Sequence, residues 1–112
     1  MIFLIFCGDL KYCTYLNRYT ERLEKNLIPY KVLFWNRGNF ILNLPENYVY
    51  YDSPSAENLG KLQKLKDFFG FRKWVVNQLK NYKVDRLILL STLTGILIFD
   101  KLKKYNRRYI FD

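Results

Sequence analysis

Residues 2–6 read Ile2-Phe3-Leu4-Ile5-Phe6 and residues 87–90 read Leu87-Ile88-Leu89-Leu90, and the predicted fold follows from these two stretches. Neither stretch alternates apolar with polar residues, so a strand formed by either is apolar on both faces. Strands of this kind belong inside a parallel sheet that helices cover on each side. The run at 32–35, Val-Leu-Phe-Trp, has the same character. The sequence therefore predicts an α/β fold.

Five apolar runs are predicted strands: residues 1–7, 31–35, 48–51, 86–90 and 108–111. Helical periodicities lie between them, and this alternation predicts a Rossmann-like, mostly parallel sheet of about five strands in the order 3-2-1-4-5, with helices on both faces. The connection between residues 36 and 47 shows no helical pattern. A length of about a dozen residues is close to the minimum for a parallel crossover, so the third strand is left as either parallel or antiparallel.

Helices are predicted from apolar spacing and from residues that start or stop a helix. The first carries apolar side chains from Tyr12 to Leu23 and ends before Pro29. The second, started by Ser55, covers residues 59–69 and breaks near Gly70. A third covers residues 74–82. A fourth begins at Thr92 or Thr94, either of which is a suitable cap, and runs towards residue 104.

Length and composition describe one Rossmann-like domain over residues 1–112, with half of the residues apolar. The longest uncharged run, residues 87–99, is shorter than the roughly 20 residues that a membrane span needs. Residues 1–7 lack a basic start and reach Gly8-Asp9 at once, which favours a strand over a signal peptide. The two cysteines, Cys7 and Cys13, make no disulfide framework, so we expect a cytoplasmic protein.

The chain contains no histidine, which removes the commonest general base and metal ligand from these residues. We expect no metal site. The turn after the first strand reads Cys-Gly-Asp-Leu-Lys, which is neither a dinucleotide-binding nor a P-loop fingerprint, and we expect no cofactor.

The net charge of +9 comes wholly from residues 59–112, because residues 1–58 contain equal numbers of basic and acidic side chains. Six of these cations accompany an apolar stripe in the helical region: Lys61, Lys64, Lys66, Arg72, Lys73 and Lys80. Three interpretations of these cations stay open: they bind an anionic membrane surface, they bind nucleic-acid phosphates, or they form an ordinary solvated helix face. No nucleic-acid motif accompanies the charge, so we place the membrane surface ahead of nucleic acid.

Ligands of open α/β sheets bind beyond the carboxyl ends of the strands, near the switch point of the strand order. This rule selects as candidate substrate-binding residues Gly8, Asp9, Lys11, Ser91, Thr92 and Asp112. A purely structural interpretation stays open for the turn at Gly8-Asp9 and for Thr92 as a helix cap.

The order of motifs resembles the N-terminal half-domain of GT-B glycosyltransferases, of the family-four type found in bacterial surface-polysaccharide synthesis. The resemblance rests on the glycine turn after the first strand, on Lys-Val-Asp-Arg-Leu-Ile-Leu-Leu at 83–90 and on Arg-Tyr-Ile-Phe-Asp at 108–112. It implies transfer of a sugar from a nucleotide-sugar donor to a glycan or lipid-linked acceptor at the cytoplasmic membrane face. By position in this half-domain, Gly8 and Asp9 face the cleft and Ser91, Thr92 and Asp112 lie at the other strand ends.

The resemblance also implies that a C-terminal half binds the donor through paired glutamates, that no metal is needed, and that residues 1–112 alone are inactive. The family often places a histidine near the donor sugar in this half, and this chain has none. A last strand without a following helix agrees with a truncated domain, whose uncovered apolar edge favours pairing of two copies. The alternative is a flavodoxin-like or Rossmann-like binding module without catalysis.

Overall fold

A five-stranded parallel sheet forms the centre of the structure, a computed structural model that describes residues 1–10, 13–36, 44–51, 61–101 and 109–111. The strands are β1 (Ile2–Phe6), β2 (Tyr30–Trp35), β3 (Tyr48–Tyr51), β4 (Arg86–Leu90) and β5 (Tyr109–Phe111). The helices are α1 (Leu16–Lys25), α2 (Lys61–Asn81) and α3 (Thr92–Leu97). The strand order is β3-β2-β1-β4-β5 and each neighbouring pair is parallel, which confirms the predicted order.

Both faces of the central strands are buried, as the continuous apolar runs predict. In β1, Phe3 and Ile5 join one core cluster, while Leu4 and Phe6 join the other on the opposite side of the sheet. On the first face α2 contributes Phe71, Val75 and Leu79. On the second face α1 contributes Leu16 and Leu23. Since burying one such side chain contributes roughly 1.5–3 kcal/mol, the two layers together hold the sheet in place.

The third strand is parallel to its neighbour, which decides the question that the short connection left open. Val32 pairs with Tyr48 and Trp35 with Tyr51 in a parallel register. The backbone N–H of Asn36 then donates to the Tyr51 carbonyl across 2.9 Å, so the two strands stay joined beyond the end of β2.

The prediction of a helix break near Gly70 is wrong, because α2 continues from Lys61 to Asn81 without interruption. Gly70 marks a close approach of another side chain instead. A Cβ atom at this position would lie 2.8 Å from the phenolic oxygen of Tyr51 on β3. The glycine therefore lets the strand side chain reach the helix backbone, at a cost of about 1 kcal/mol in helix propensity.

The residue that caps α3 is Ser91 rather than Thr92 or Thr94. Its side chain accepts a hydrogen bond from the Thr94 backbone N–H across 3.3 Å. The α-helix ends at Leu97, earlier than predicted, and residues 99–101 form a 3₁₀ turn. The Leu97 carbonyl accepts from the side-chain Nε of Arg72 across 3.0 Å. A side chain of α2 thus satisfies a carbonyl at the end of α3 that a longer helix would have bonded internally.

The first helix ends as predicted, before Pro29. Asn26 follows its last residue, and the Asn26 side-chain amide donates to the Arg22 carbonyl across 2.8 Å. The predicted start of the second helix at Ser55 lies outside the described residues, as do residues 102–108.

Candidate functional site at the carboxyl ends of the strands

The carboxyl ends of β1 and β4 lie side by side, at the point where the strand order changes direction. Phe6 and Leu90, the last residues of the two strands, are register partners. The turn at Gly8-Asp9 and the turn at Ser91 therefore leave the sheet next to each other. This is the position at which open α/β sheets bind ligands, and it brings together three of the predicted site residues.

A buried hydroxyl, that of Thr94, joins the two turns. Its Oγ1 accepts from the Cys7 backbone N–H across 3.0 Å and donates to the Leu90 carbonyl across 2.9 Å. Thr94 has no exposed surface. Because both partners are backbone groups at strand ends, this one side chain fixes the end of β1 against the end of β4.

The hydroxyl of Ser91 has its proton already engaged. The Oγ atoms of Ser91 and Thr94 are 3.1 Å apart, and the single hydroxyl proton of Thr94 is donated to Leu90. Ser91 must therefore be the donor in this contact, since a hydroxyl carries one proton. The same Ser91 oxygen accepts from the Thr94 N–H. What Ser91 retains for a ligand is an acceptor lone pair.

Ser91 also has a backbone conformation that favours glycine, with φ 98° and ψ 152°. A non-glycine residue in this region costs on the order of 1–3 kcal/mol, which surrounding contacts must offset. The cap bond to Thr94 and the hydroxyl contact with Thr94 are the contacts that hold it there.

Gly8 forms a tight turn directly after β1. Its φ is 153°, and its backbone N–H donates to the Phe6 carbonyl across 3.1 Å. A Cβ atom added to Gly8 would lie 3.3 Å from the Phe6 ring. The Gly8 carbonyl accepts from the Trp35 N–H across 3.2 Å, which extends the pairing of β1 with β2 past the strand end.

Asp9 follows this turn and its side chain is half-buried, as is that of Ser91. At the end of the neighbouring strand β2, Asn36 is a buried polar residue with 1% of its surface exposed. Of the predicted site residues, Gly8, Asp9 and Ser91 are thus placed at one edge. Lys11 and Asp112 lie outside the described residues, and for Thr92 the structure describes the backbone alone.

Thr94 is the residue of this edge that sequence reasoning missed. The sequence places it after the fourth strand, together with Ser91 and Thr92, and its Ser-Thr-Leu-Thr run indicates a helix cap rather than a substrate-binding residue. Its buried position, three residues after Ser91 and on the side of α3 that faces the sheet, became visible only with the packing of α3 on β4.

The six cations predicted on the helical region divide into groups. Lys66, Lys73 and Lys80 are exposed. Lys64 is exposed too, but it precedes Phe71 by seven residues, about two turns, and so lies on the same side of α2 as that buried ring. The side chain of Lys61 is not among those described.

Arg72, the sixth cation, is engaged within the protein. Its guanidinium donates to both carboxylate oxygens of Asp100, across 2.7 and 2.6 Å, in addition to the Leu97 carbonyl. The hydrogen bond from Arg72 lowers the pKa of the Asp100 carboxyl below its ordinary value. Arg72 therefore connects α2 to the segment after α3.

Two kinds of site find no support in the part of the chain that the structure describes. No group of three or more Cys, Asp or Glu side chains is arranged to hold a metal ion there. No helix among these residues combines the length and the apolar character that crossing a bilayer requires.

Comparison with known proteins does not assign the chain to a family. No protein-family model, no curated protein and no solved structure matches it significantly.

Proposed function

We propose that this chain is the acceptor-binding domain of a glycosyltransferase, and that a sugar binds at the edge formed by Gly8, Asp9 and Ser91. The observation that carries the proposal is the pair of contacts at Thr94, which donates to the Leu90 carbonyl across 2.9 Å and lies 3.1 Å from the Ser91 hydroxyl, so that Ser91 is assigned as the donor between the two hydroxyls. Ser91 offers an acceptor lone pair, and Asp9 beside it carries acceptor oxygens, so this edge is suited to a ligand that supplies donors. Sugar hydroxyls are donors at every ring position, whereas phosphate at neutral pH is mainly an acceptor.

The parallel order of the strands supports the proposal at the level of position. The proposed sugar lies over β1 and β4, where the Thr94 hydroxyl fixes both strand ends in advance. A preorganised edge loses little conformational entropy when a ligand binds. The resemblance to the N-terminal half of family-four enzymes supplies the reaction, and a nucleotide-sugar donor then binds a further domain.

Chemical-shift titration of the ¹⁵N-labelled chain tests the proposed site. The probes are a neutral oligosaccharide, a nucleotide sugar and inorganic phosphate. We expect the oligosaccharide to shift the amide signals of Gly8, Asp9 and Ser91 while the other two probes leave them in place. Shifts at these amides with nucleotide sugar or phosphate, and none with any neutral glycan, would refute a sugar-acceptor edge.

The Asp9→Asn variant tests the role of the carboxylate. It keeps the shape of the side chain and weakens a charge-assisted hydrogen bond, so we expect about a tenfold loss of glycan affinity. Asp67→Asn is the matched control, since Asp67 lies on α2 and accepts from Gln63 across 3.1 Å. Equal affinity losses in the two variants would show that charge, not the edge, is responsible.

The second candidate function is a Rossmann-like binding module without catalysis. It is favoured by the absence of a histidine base in the sequence, and it predicts binding of a nucleotide or flavin at the same edge. A coding sequence that continues into a second Rossmann-like half with paired glutamates favours the transferase. Sugar transfer by residues 1–112 alone would contradict the proposal that the acceptor and the nucleotide-sugar donor bind different domains.

A further inference from the structure

The outer face of α2, defined as Leu62, Leu65, Lys66, Phe69, Lys73 and Lys80, combines exposed apolar and cationic side chains. Leu62, Leu65 and Phe69 expose 78%, 51% and 54% of their surface. Lys66, Lys73 and Lys80 are exposed as well. Three large apolar side chains exposed on one helix face are a feature typical of interaction surfaces.

Helix geometry places this face away from the sheet. Phe71 is fully buried against the sheet, and Phe69 and Lys73 stand two residues before and after it. At about 100° per residue, each lies roughly 200° from Phe71, on the opposite side of the helix. Leu62 precedes Phe69 by seven residues, about two turns, and so lies on the same side as Phe69.

The cations form a line beside the apolar side chains. Lys66, Lys73 and Lys80 are spaced by seven residues, which again returns to nearly the same side of the helix after two turns. The one carboxylate on α2, that of Asp67, lies off this face and is bonded to Gln63. The outer face therefore presents positive charge without a compensating acidic side chain of its own helix.

The first turns of α2 are exposed. Residues 62–66 are all exposed, whereas Phe71, Val75 and Leu79 are buried.

We infer that the outer face of α2 docks onto the surface of an anionic phospholipid bilayer. The three lysines meet lipid phosphates, while Leu62, Leu65 and Phe69 enter the boundary between headgroups and acyl chains. This inference rests on α2 alone and does not depend on the sugar-binding edge, which is built from β1, β4 and α3.

Charge and shape favour lipid over two other occupants. A second copy of the same face would bring two lines of lysines together, so like charges oppose self-association. A nucleic acid would engage the lysines and could stack one base on Phe69, but the other two apolar side chains of the face, Leu62 and Leu65, are aliphatic and offer no stacking surface.

Vesicle co-sedimentation of the whole chain tests the inference. The probes are vesicles of phosphatidylcholine and vesicles of phosphatidylcholine mixed with phosphatidylglycerol. Since each lysine near an anionic surface contributes about 1 kcal/mol, replacing all three by glutamine (Lys66→Gln, Lys73→Gln, Lys80→Gln) is expected to reduce partitioning about 100-fold. Equal binding of the wild type to both vesicle types at low salt overturns the inference.

A charge-matched control lies on the other side of the sheet. Arg18, Arg22 and Lys25 are exposed on α1, and replacing them by glutamine lowers the net charge by the same amount. We expect this triple variant to bind the anionic vesicles nearly as well as the wild type. A loss as large as that of the α2 variant would mean that net charge, not the outer face, drives binding.

The apolar contribution is measured separately. Phe69→Ser is expected to reduce partitioning about tenfold, and its thermal unfolding should stay close to that of the wild type because 54% of the Phe69 surface is exposed and serine has a similar helix propensity. In a Phe69→Trp variant, brominated acyl chains should quench more tryptophan fluorescence than they quench in the wild type, which reports only its native tryptophans. The absence of added quenching would contradict the lipid assignment, and so would DNA binding that exceeds vesicle binding. A chain that forms a dimer, loses the dimer on Phe69→Ser and does not bind vesicles would contradict it as well.

Discussion

The backbone N–H of Cys7 donates to the side-chain hydroxyl of Thr94 across 3.0 Å, although 87 residues separate them in sequence. The same hydroxyl donates to the Leu90 carbonyl. One buried oxygen thus satisfies backbone groups from two strand ends. Since an unsatisfied buried backbone group is costly, we expect this position to tolerate few substitutions.

Thr94→Val tests that relationship, because valine keeps the shape of threonine and removes the hydroxyl. The Cys7 N–H and the Leu90 carbonyl then lose their partner, and we expect a decrease of about 2–3 kcal/mol in the free energy of unfolding. Urea denaturation measures it. Thr94→Ser, which retains the hydroxyl, serves as the control and should lose less; equal losses in the two variants would point to packing instead.

Ser91 is expected to respond differently to alanine and to glycine. Alanine removes the cap and stays in a strained backbone conformation, so Ser91→Ala should destabilise by about 1–2 kcal/mol. Glycine also removes the side chain but relieves the strain of φ 98°, so Ser91→Gly should lose less. Thermal unfolding ranks the two variants, and the reverse order would contradict the account of strain.

Tyr30 makes the free energy of unfolding depend on pH in the alkaline range. Its hydroxyl donates to the Glu24 carboxylate across 2.5 Å, and burial, followed by this hydrogen bond, raises the Tyr30 pKa from 10.0 to about 12. Because the folded state retains the proton more tightly, the contribution is fully present below pH 10 and is lost as the pH rises through 12.

We therefore expect Tyr30→Phe to be less stable than the wild type by about 1–2 kcal/mol at neutral pH. The difference between the two should shrink between pH 10 and pH 12, the two pKa values of the Tyr30 hydroxyl. Tyr82→Phe, at an exposed ring, controls for the loss of a tyrosine. A difference between wild type and Tyr30→Phe that stays constant through this window would show that the hydroxyl does not control it.

The ion pair of Arg72 and Asp100 makes the free energy of unfolding depend on pH in the acid range. Arg72 lowers the pKa of the Asp100 carboxyl, so its contribution is present above the ordinary carboxyl pKa of 3.8 and is lost as the pH falls through the lowered value. The destabilisation caused by Asp100→Asn should accordingly disappear in acid, as measured by unfolding at several pH values. Arg72→Gln should retain a loss of about 1 kcal/mol even there, because the Leu97 carbonyl also loses its donor.

The strands could be predicted from the sequence because their apolar runs are long and continuous. Phe3, Leu4 and Ile5 have no exposed surface, as a run without polar residues requires. The helix boundaries were less accessible. Gly70 suggested a break, but the side chain that makes it necessary, Tyr51, lies 19 positions earlier in the sequence and meets it only across the fold.

The candidate site was predictable in position and not in chemistry. Topology places Gly8, Asp9 and Ser91 at one edge, and strand order was enough to predict this. The direction of the Ser91 hydroxyl proton depends on Thr94, whose own proton goes to Leu90. The spacing of residues in the sequence does not predict these hydrogen-bond donors and acceptors.

A parallel sheet with both faces buried and a cationic second half are predictable from the residues alone, because periodicity and charge are local properties of the chain. Which lysines lie beside exposed leucines, and which cation bonds within the protein, depends on how α2 packs against the sheet. Arg72 and Lys73 are neighbours in sequence, yet one binds Asp100 while the other faces solvent. The physical reason is the helix, which turns consecutive residues by about 100° and lets the sheet select one side.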